Sequence, residues 1–334
     1  MNCNKVTDRI HILGGGPAGS AAALAALRQG TRDTLVRVIE KSRLPRHKVC
    51  GEFFSPEIGP ELEQLGGWDA FLAAGPARIR RTVLHFGART KSSRLPEPAF
   101  GLSRYAFDRM LLDQARAAGA DLVTEAGEEQ PLIVATGRHN TRSTTPTQRG
   151  QRLFGFKAHF EGPTDDAVEL FFFERCYVGV TAIEAGRTNV CGLAPECFLS
   201  RFGFEYDDIV MHCPALSDRL KPLRRATQWF STGPLQYGQS FVNAGSAYPA
   251  GDALSFVDPF TGSGLLAAVR SGAMAGRAAV IGQPVADYLR ECRASLRQPF
   301  QVAGVLRRAL EGGWAEKLAP LAPGRLLFAL TRPR

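Results

Sequence analysis

Residues 9–13 (RIHIL) and 34–40 (TLVRVIE) are short apolar runs of strand length. Between them, AAALAALRQG is a run of strong helix formers closed by Gly30. The pattern predicts strand, turn, helix, strand in about thirty residues, the size of a mononucleotide-binding unit. Segment 41–60 is rich in Pro, Gly and charge and reads as loop entering a helix at 56–65. Residues 79–86 (IRRTVLHF) alternate like a half-exposed strand and precede a Pro-rich turn at 95–98. Phe107, Leu111 and Ala115 fall at i, i+4 and i+8, so 105–118 is an amphipathic helix. Further strands are expected at 120–126 and 131–137, and a polar linker at 140–150.

The pattern changes over 152–245. FGFKAHFEG, AVELFFFE, CYVGVTAIE and RTNVCGLA are strand-like runs separated by turn signals, which predicts an antiparallel sheet. Helical pattern returns at 199–211 and 216–226. Strand, glycine-rich loop and Ala-rich helix follow over 247–282. The remainder from 284 is helical, broken by prolines at 299, 320, 323 and 333.

At 334 residues the chain is long enough for two domains and for a core that needs no disulfides. Its seven cysteines (3, 50, 176, 191, 197, 213, 292) form no CxxC pair, so neither structural zinc nor a disulfide framework is expected, and no metal site. The net charge is +9, of which residues 290–334 carry +6, with nine Lys or Arg against three acidic residues. That basic tail faces an anionic membrane surface or solvates a helix. No nucleic-acid motif accompanies it. No signal peptide and no apolar run of about 18 residues is evident, so a cytoplasmic protein is expected, peripheral to the membrane if the tail binds it.

Two glycine-rich segments carry the chemistry. Gly14, Gly16 and Gly19, with Pro17 and Ala18 between them, make GxGxxG between strand and helix. The first glycine permits the turn, the second lets backbone approach a pyrophosphate, and the third lets helix and strand pack. Glu40, followed by Lys41, ends the next strand 21 residues after Gly19, where an acidic side chain binds a ribose. The second segment, GDALSFVDPFTGSG, starts at Gly251. Asp252 in its turn suits a ribityl or ribose hydroxyl, and Gly262 and Gly264 open a helix whose N-terminus suits negative charge on a flavin ring.

Together GGGPAG, VIEK and GDALSFVDPFTGSG resemble the FAD-binding segments of the para-hydroxybenzoate hydroxylase group of flavoproteins, and more closely the geranylgeranyl reductase family. KVCGEF (48–53), LSRYAFDRMLLDQARAAGA (102–120) and ATGR (135–138) carry the closer likeness. GFKAHF, CYVGVTAIE and RTNVCGLAP resemble that family's substrate-domain strands. The resemblance implies an α/β fold: a discontinuous Rossmann-like FAD-binding domain (1–78, 102–139, 245–283), an inserted antiparallel substrate domain (79–101, 140–244) and a helical C-terminal tail (284–334). It implies FAD held at Gly14, Gly16, Gly19 and Glu40, with Arg104 on its phosphates or ribityl chain. Asp252 would hold the ribityl-pyrophosphate region, with Pro259, Gly262 and Gly264 beside the pyrimidine edge. Cys50 and Glu52 would approach the isoalloxazine and substrate.

Two departures from related flavoproteins matter. Thr136-Gly137-Arg138 stands where the hydroxylases carry Asp-Gly, which leaves NAD(P)H open as donor. The halogenases' Trp-x-Trp-x-Ile-Pro motif has no counterpart, since Trp68, Trp229 and Trp314 are isolated.

Arg46, His47 and Lys48 surround Cys50, which would favour its thiolate; a packing role beside Gly51 is the alternative. His159 is an acid/base candidate or a core residue. Phe156, Phe171, Phe173 and Tyr177, in a sheet also carrying Phe154, Phe160 and Phe172, line an apolar substrate pocket or form the core row. Phe241 belongs to the same aromatic set. The expected activity is FAD-dependent reduction of a C=C bond in an apolar isoprenoid- or polyketide-like molecule. Hydroxylation with NAD(P)H and O₂ is the alternative, and a flavin-binding protein with a decayed substrate site the third. A monomer or weak dimer is expected.

Overall fold

A computed structural model describes residues 9–125, 127, 130–137, 152–235, 245–255 and 262–296. Phe241, Pro259, Arg138, the linker at 140–150 and the tail beyond 296 lie outside them. The chain begins β1 (Arg9–Leu13), α1 (Pro17–Gln29), β2 (Leu35–Ile39), β3 (Phe53–Phe54), α2 (Ile58–Gln64), α3 (Trp68–Ala73), β4 (Ala77–Phe86), β5 (Arg89–Gly101) and α4 (Arg104–Ala117). It continues β6 (Asp121–Val123), β7 (Ile133–Val134), β8 (Leu153–Glu161), β9 (Ala167–Phe173), β10 (Cys176–Ile183), β11 (Arg187–Pro195), α5 (Glu196–Arg201), α6 (Tyr206–Met211) and α7 (Pro214–Leu220). Then come β12 (Arg224–Arg225), β13 (Phe230–Leu235), β14 (Tyr248–Pro249) and α8 (Gly264–Ile281).

Among the described residues, β14-β7-β1-β2-β6 form a parallel sheet. Buried Ile10, Ile12, Val36 and Val38 give its central strands their core face. Against it, α1 and α8 pack through small residues. A Cβ on Gly272 would lie 2.1 Å from the Ala18 carbonyl oxygen, and one on Gly276 2.2 Å from that of Ala22. Glycine at both positions is therefore required by backbone-to-backbone contact at i and i+4. Contrary to the sequence reading, α8 is long and apolar enough to cross a membrane, but 61% of it is buried inside the protein, as in a core helix. Ser103 caps α4 by accepting the Ala106 N–H at 3.1 Å.

The second sheet runs β12-β8-β11-β10-β9-β4-β5-β3, with β13 also on β8. It is not purely antiparallel: β4 pairs with β9 in parallel. The chain leaves β5 for α4, β6 and β7 in the first sheet before returning, and this long crossover permits parallel pairing. The predicted turn at 95–98 is part of β5. Its prolines sit where the β4–β5 register shifts between Ile79 and Arg81, a bulge that needs no ladder donors. The expected helix at 199–211 is split into α5 and α6, and 216–226 is α7 followed by β12. Cys50, Cys176, Cys191, Cys197, Cys213 and Cys292 are free thiols.

Candidate functional site

A cavity of about 910 Å³ opens between the two sheets, at the upper end of the range for ligand pockets. Its floor is the C-terminal end of β1 and the N-terminus of α1. Gly14 has φ +106°, and a Cβ there would lie 2.4 Å from the Ala135 carbonyl oxygen; one on Gly19 would lie 1.8 Å from that of Gly14. Gly19 closes the turn on itself, and Gly14 lets the turn pass against the backbone at Ala135, just past the end of β7. Gly16 differs, because a Cβ there meets only Lys48 Nζ, at 3.9 Å, and otherwise points into the cavity. Gly16 caps α1 without a side chain, Pro17 begins the helix and no acidic residue stands in its first turn. The positive helix end is left for an anion.

Glu40 accepts the Gly15 N–H (2.9 Å) and the Ser42 N–H (2.8 Å), one on each oxygen, and lines the cavity with its remaining lone pairs. Lys41 lies on the same rim. Gly251 (φ +61°) donates its N–H to Ser271 Oγ at 2.9 Å, which ties the second glycine segment to α8. Asp252, Gly262 and Gly264 line the wall facing the α1 N-terminus, and Ala18 lies between the two segments. This cradle fits a dinucleotide diphosphate: an open Gly16, two helix N-termini, and the cations Arg46, Lys48 and Arg104 on one wall.

The Arg104 guanidinium is bidentate to Asp108 (2.7 and 2.8 Å). Despite burial, Asp108 and also Asp252 keep its pKa raised. It is thus a fixed cation on the wall rather than a free arm. Lys48, which sequence reasoning did not single out for the cradle, lines the cavity with its Nζ beside Gly16. Burial, then Arg104, lowers its ammonium pKa, so a diphosphate beside it would relieve unfavourable charge. Lys48→Gln is expected to weaken FAD binding roughly ten- to a hundredfold, the scale of one charge-assisted hydrogen bond, and to reduce its salt dependence. Flavin-fluorescence titrations at two ionic strengths check this.

The roof is one face of the second sheet. Strand alternation turns Leu84, Val168, Leu170, Tyr177, Thr181 and Leu193 into the cavity. The same alternation corrects the aromatic assignment. Phe156 stacks on Tyr206 (5.0 Å), Phe171 on His85 (4.2 Å), and Phe173 meets Phe198, all on the opposite face. Of the four aromatic pocket candidates only Tyr177 lines the cavity.

His159 is also not a wall residue. It is 1% exposed, and its Nε2 lies 2.7 Å from Glu52 Oε2. Glu52 is fully buried at φ +54°, and its Oε1 accepts the Arg104 N–H (2.6 Å) and Lys157 Nζ. Its carboxylate is therefore engaged by protein groups on both oxygens, at a point where Glu52 also borders the cavity. Burial opposes its charge, but His159 and Lys157 outweigh that and hold its pKa below the ordinary carboxylate value. Lys157, also fully buried, donates to the Lys48 carbonyl at 3.2 Å, and Asn189 Nδ2 to that of Cys50 at 3.0 Å. The 48–52 loop is thus held from β8 and β11 at three points. The signal for Lys157 lay in GFKAHF, where a Lys and a His two residues apart share one face of an apolar strand.

Cys50 lines the cavity, and its Sγ accepts the Glu52 N–H at 3.4 Å. Burial pushes its thiol pKa up, overriding Arg104. The thiol form is favoured, contrary to the thiolate expected from its basic neighbours. Among the described residues no three His, Cys, Asp or Glu side chains converge to hold a metal.

Residues 9–101 match the tryptophan halogenase family. A menaquinone reductase of Mycolicibacterium smegmatis is 37% identical over 114 residues, 33% of this chain and 26% of that protein, so the match spans about a quarter of the relative's length. The solved flavin-dependent brominase Bmp2 superimposes with a TM-score of 0.77 at 19% identity, covering 97% of this chain and 93% of that one. A variant of the halogenase PltM in complex with FAD gives 0.69 at 16% identity, covering 90% and 76%. The α/β fold of this chain is therefore the one that these flavin-dependent halogenase structures share, with the dinucleotide cradle at the start of its first sheet.

Proposed function

We propose that the protein is an FAD-dependent reductase of a C=C bond in an apolar, isoprenoid-like or quinone-like molecule. The observation that carries this reading is the single cavity that runs from the Gly16 cradle to a roof of Leu84, Val168, Leu170 and Leu193. Such a surface favours an apolar guest by about 25 cal/mol per Å² buried. The likeness to a menaquinone reductase and the resemblance of KVCGEF to the geranylgeranyl reductases support the same substrate class.

Bound FAD, reduced by NAD(P)H or another donor, would supply hydride chemistry. The chain's own residues would bind and orient it: Gly16, Lys48 and the helix ends would hold the diphosphate and Glu40 the ribose, while the roof would exclude water. Lys157, Asn189 and Glu52 hold the Cys50 loop against the cavity. The match to the halogenase family over 9–101 favours a second reading, in which reduced FAD reacts with O₂ to oxygenate or halogenate.

Anaerobic mixing of pre-reduced protein with short-chain polyprenyl quinones and enones separates them. Reoxidation with stoichiometric loss of a C=C bond in the enone or in the polyprenyl chain is the expected result. Reoxidation only in air, with hydroxylated or, with bromide present, brominated product, would replace the reductase reading with the second.

An isoprenoid-like substrate is met at a membrane, and the basic tail at 290–334 suits that encounter. Full-length protein is expected to sediment with vesicles containing anionic lipid at low salt and to be released at high salt. Indifference to both variables would remove the membrane from the proposal.

A further inference from the structure

The Cys50 loop brings a second group to the cavity. His47 lines it, its ring stacked between Tyr105 (5.2 Å) and Phe230 (5.0 Å). Its edge meets the His159 ring in a T-shaped contact at 5.3 Å. Among the described residues, Nδ1 of each imidazole is buried with no hydrogen-bond partner. A buried ring nitrogen without a partner is costly, and two on touching rings are costlier. His159 is fixed from the other side, since its Nε2 is engaged by Glu52, itself held by Lys157 and the Arg104 N–H.

We propose that His47, rather than Cys50, exchanges a proton with the bound substrate, and that His159 is a positioning residue that shares this proton with it. The first half rests on the reductase reading; the shared proton does not. Saturating a C=C bond puts a hydride on one carbon and a proton on the other. Bound reduced FAD would supply the hydride, which carries both electrons. The His47 imidazolium gives only the proton, is left neutral, and is recharged through His159 by rotation of a ring or by one bridging water. While the proton resides on His159, the Glu52 carboxylate offsets its charge.

The groups facing His47 are Lys157, His159 and Arg187, which disfavour its charge, Glu52, which favours it, and the uncharged Tyr105 and Phe230. Burial, then Lys157 and His159, lowers its pKa below the ordinary imidazole value. The imidazolium is therefore a stronger acid than usual. Cys50, with its thiol pKa raised, is a weaker one. Once protonated, His47 gives up its proton more readily than the Cys50 thiol, and the fraction so protonated falls as the pH rises above its midpoint.

The test uses FAD-loaded full-length protein with isotope-labelled histidine, the His47 resonance being identified by its loss in His47→Asn. In wild type it is expected to titrate below the ordinary range. His159→Asn should move that midpoint upward, because one competing positive neighbour is removed. Cys50→Ser should leave it in place. In anaerobic reoxidation of pre-reduced flavin by an enone, read as loss of its C=C bond, His47→Asn should be slower by about 10²–10⁴-fold with FAD content unchanged, the span of general acid catalysis. The wild-type rate should fall above the His47 midpoint, and the fall should shift with it in His159→Asn. A midpoint unmoved by His159→Asn overturns the shared proton. A fast His47→Asn overturns the donor assignment. If no quinone or enone reoxidises wild type, the reductase reading and the donor role fail together, and the titration still decides the shared proton.

Discussion

Gly16→Val is expected to give a folded protein that binds no FAD. The backbone at Gly16 has φ −73°, which valine adopts without strain, and a Cβ there meets nothing but the far end of Lys48. The substitution is thus nearly silent for the polypeptide alone. Its branched side chain fills the space that a diphosphate must enter at the α1 N-terminus. The paired control is Gly19→Val, where the first added carbon would sit 1.8 Å from the Gly14 carbonyl oxygen and the fold itself must give. The expected outcome is a colourless Gly16→Val protein with a wild-type circular dichroism spectrum, and a Gly19→Val protein that is unfolded or insoluble. A yellow Gly16→Val protein with a full complement of FAD would show that the diphosphate does not lie over Gly16.

Lys157→Met is expected to cost about 3–5 kcal/mol of folding stability at neutral pH, because it leaves the Glu52 carboxylate buried without its cation. The pH dependence gives the claim a sign. In wild type the folded pKa of Glu52 is depressed. Its contribution is therefore present above the unfolded carboxylate value and is lost as pH falls through the folded value. In Lys157→Met, burial is no longer fully opposed and the carboxyl pKa moves up. The variant's carboxyl is then neutralised more readily than wild type's as the solution is acidified. The stability difference from wild type should accordingly be largest near pH 7 and shrink toward pH 4–5, as measured by urea unfolding at each pH. A difference independent of pH would mean that Lys157 matters for packing alone. FAD content and the His47 titration should also change, because the Lys48 carbonyl loses its donor and His47 loses a neighbouring charge.

What the sequence by itself determined was local or nearly so. Gly14, Gly16 and Gly19 occupy a turn whose constraints arise within a strand, a turn and a helix, and Glu40 closes the same unit one strand later. Short-range spacing is enough to recognise such a turn, and it identified the α/β class and the glycine cradle. The Ala-rich stretches at 21–26 and 264–281 were legible as helices. That Gly272 and Gly276 serve to bring α8 onto Ala18 and Ala22 was not, since the contact joins residues some 250 apart.

Tertiary structure decided which face each strand shows to the cavity and which charges meet. Period-two alternation says that about half of a strand's residues point one way, but only the packing of α5, α6 and α7 against one face decides which half. Phe156, Phe171 and Phe173 went to that side, and Leu84, Val168, Leu170 and Tyr177 to the other. The chemistry of the 47–52 loop was likewise beyond local reading. Its basic neighbours suggested a thiolate at Cys50, because charge can be counted along a sequence while desolvation cannot. In the folded protein burial outweighs those neighbours, and Glu52 is engaged by Lys157 and His159, more than a hundred residues away, on a strand that meets the loop only when the two sheets close.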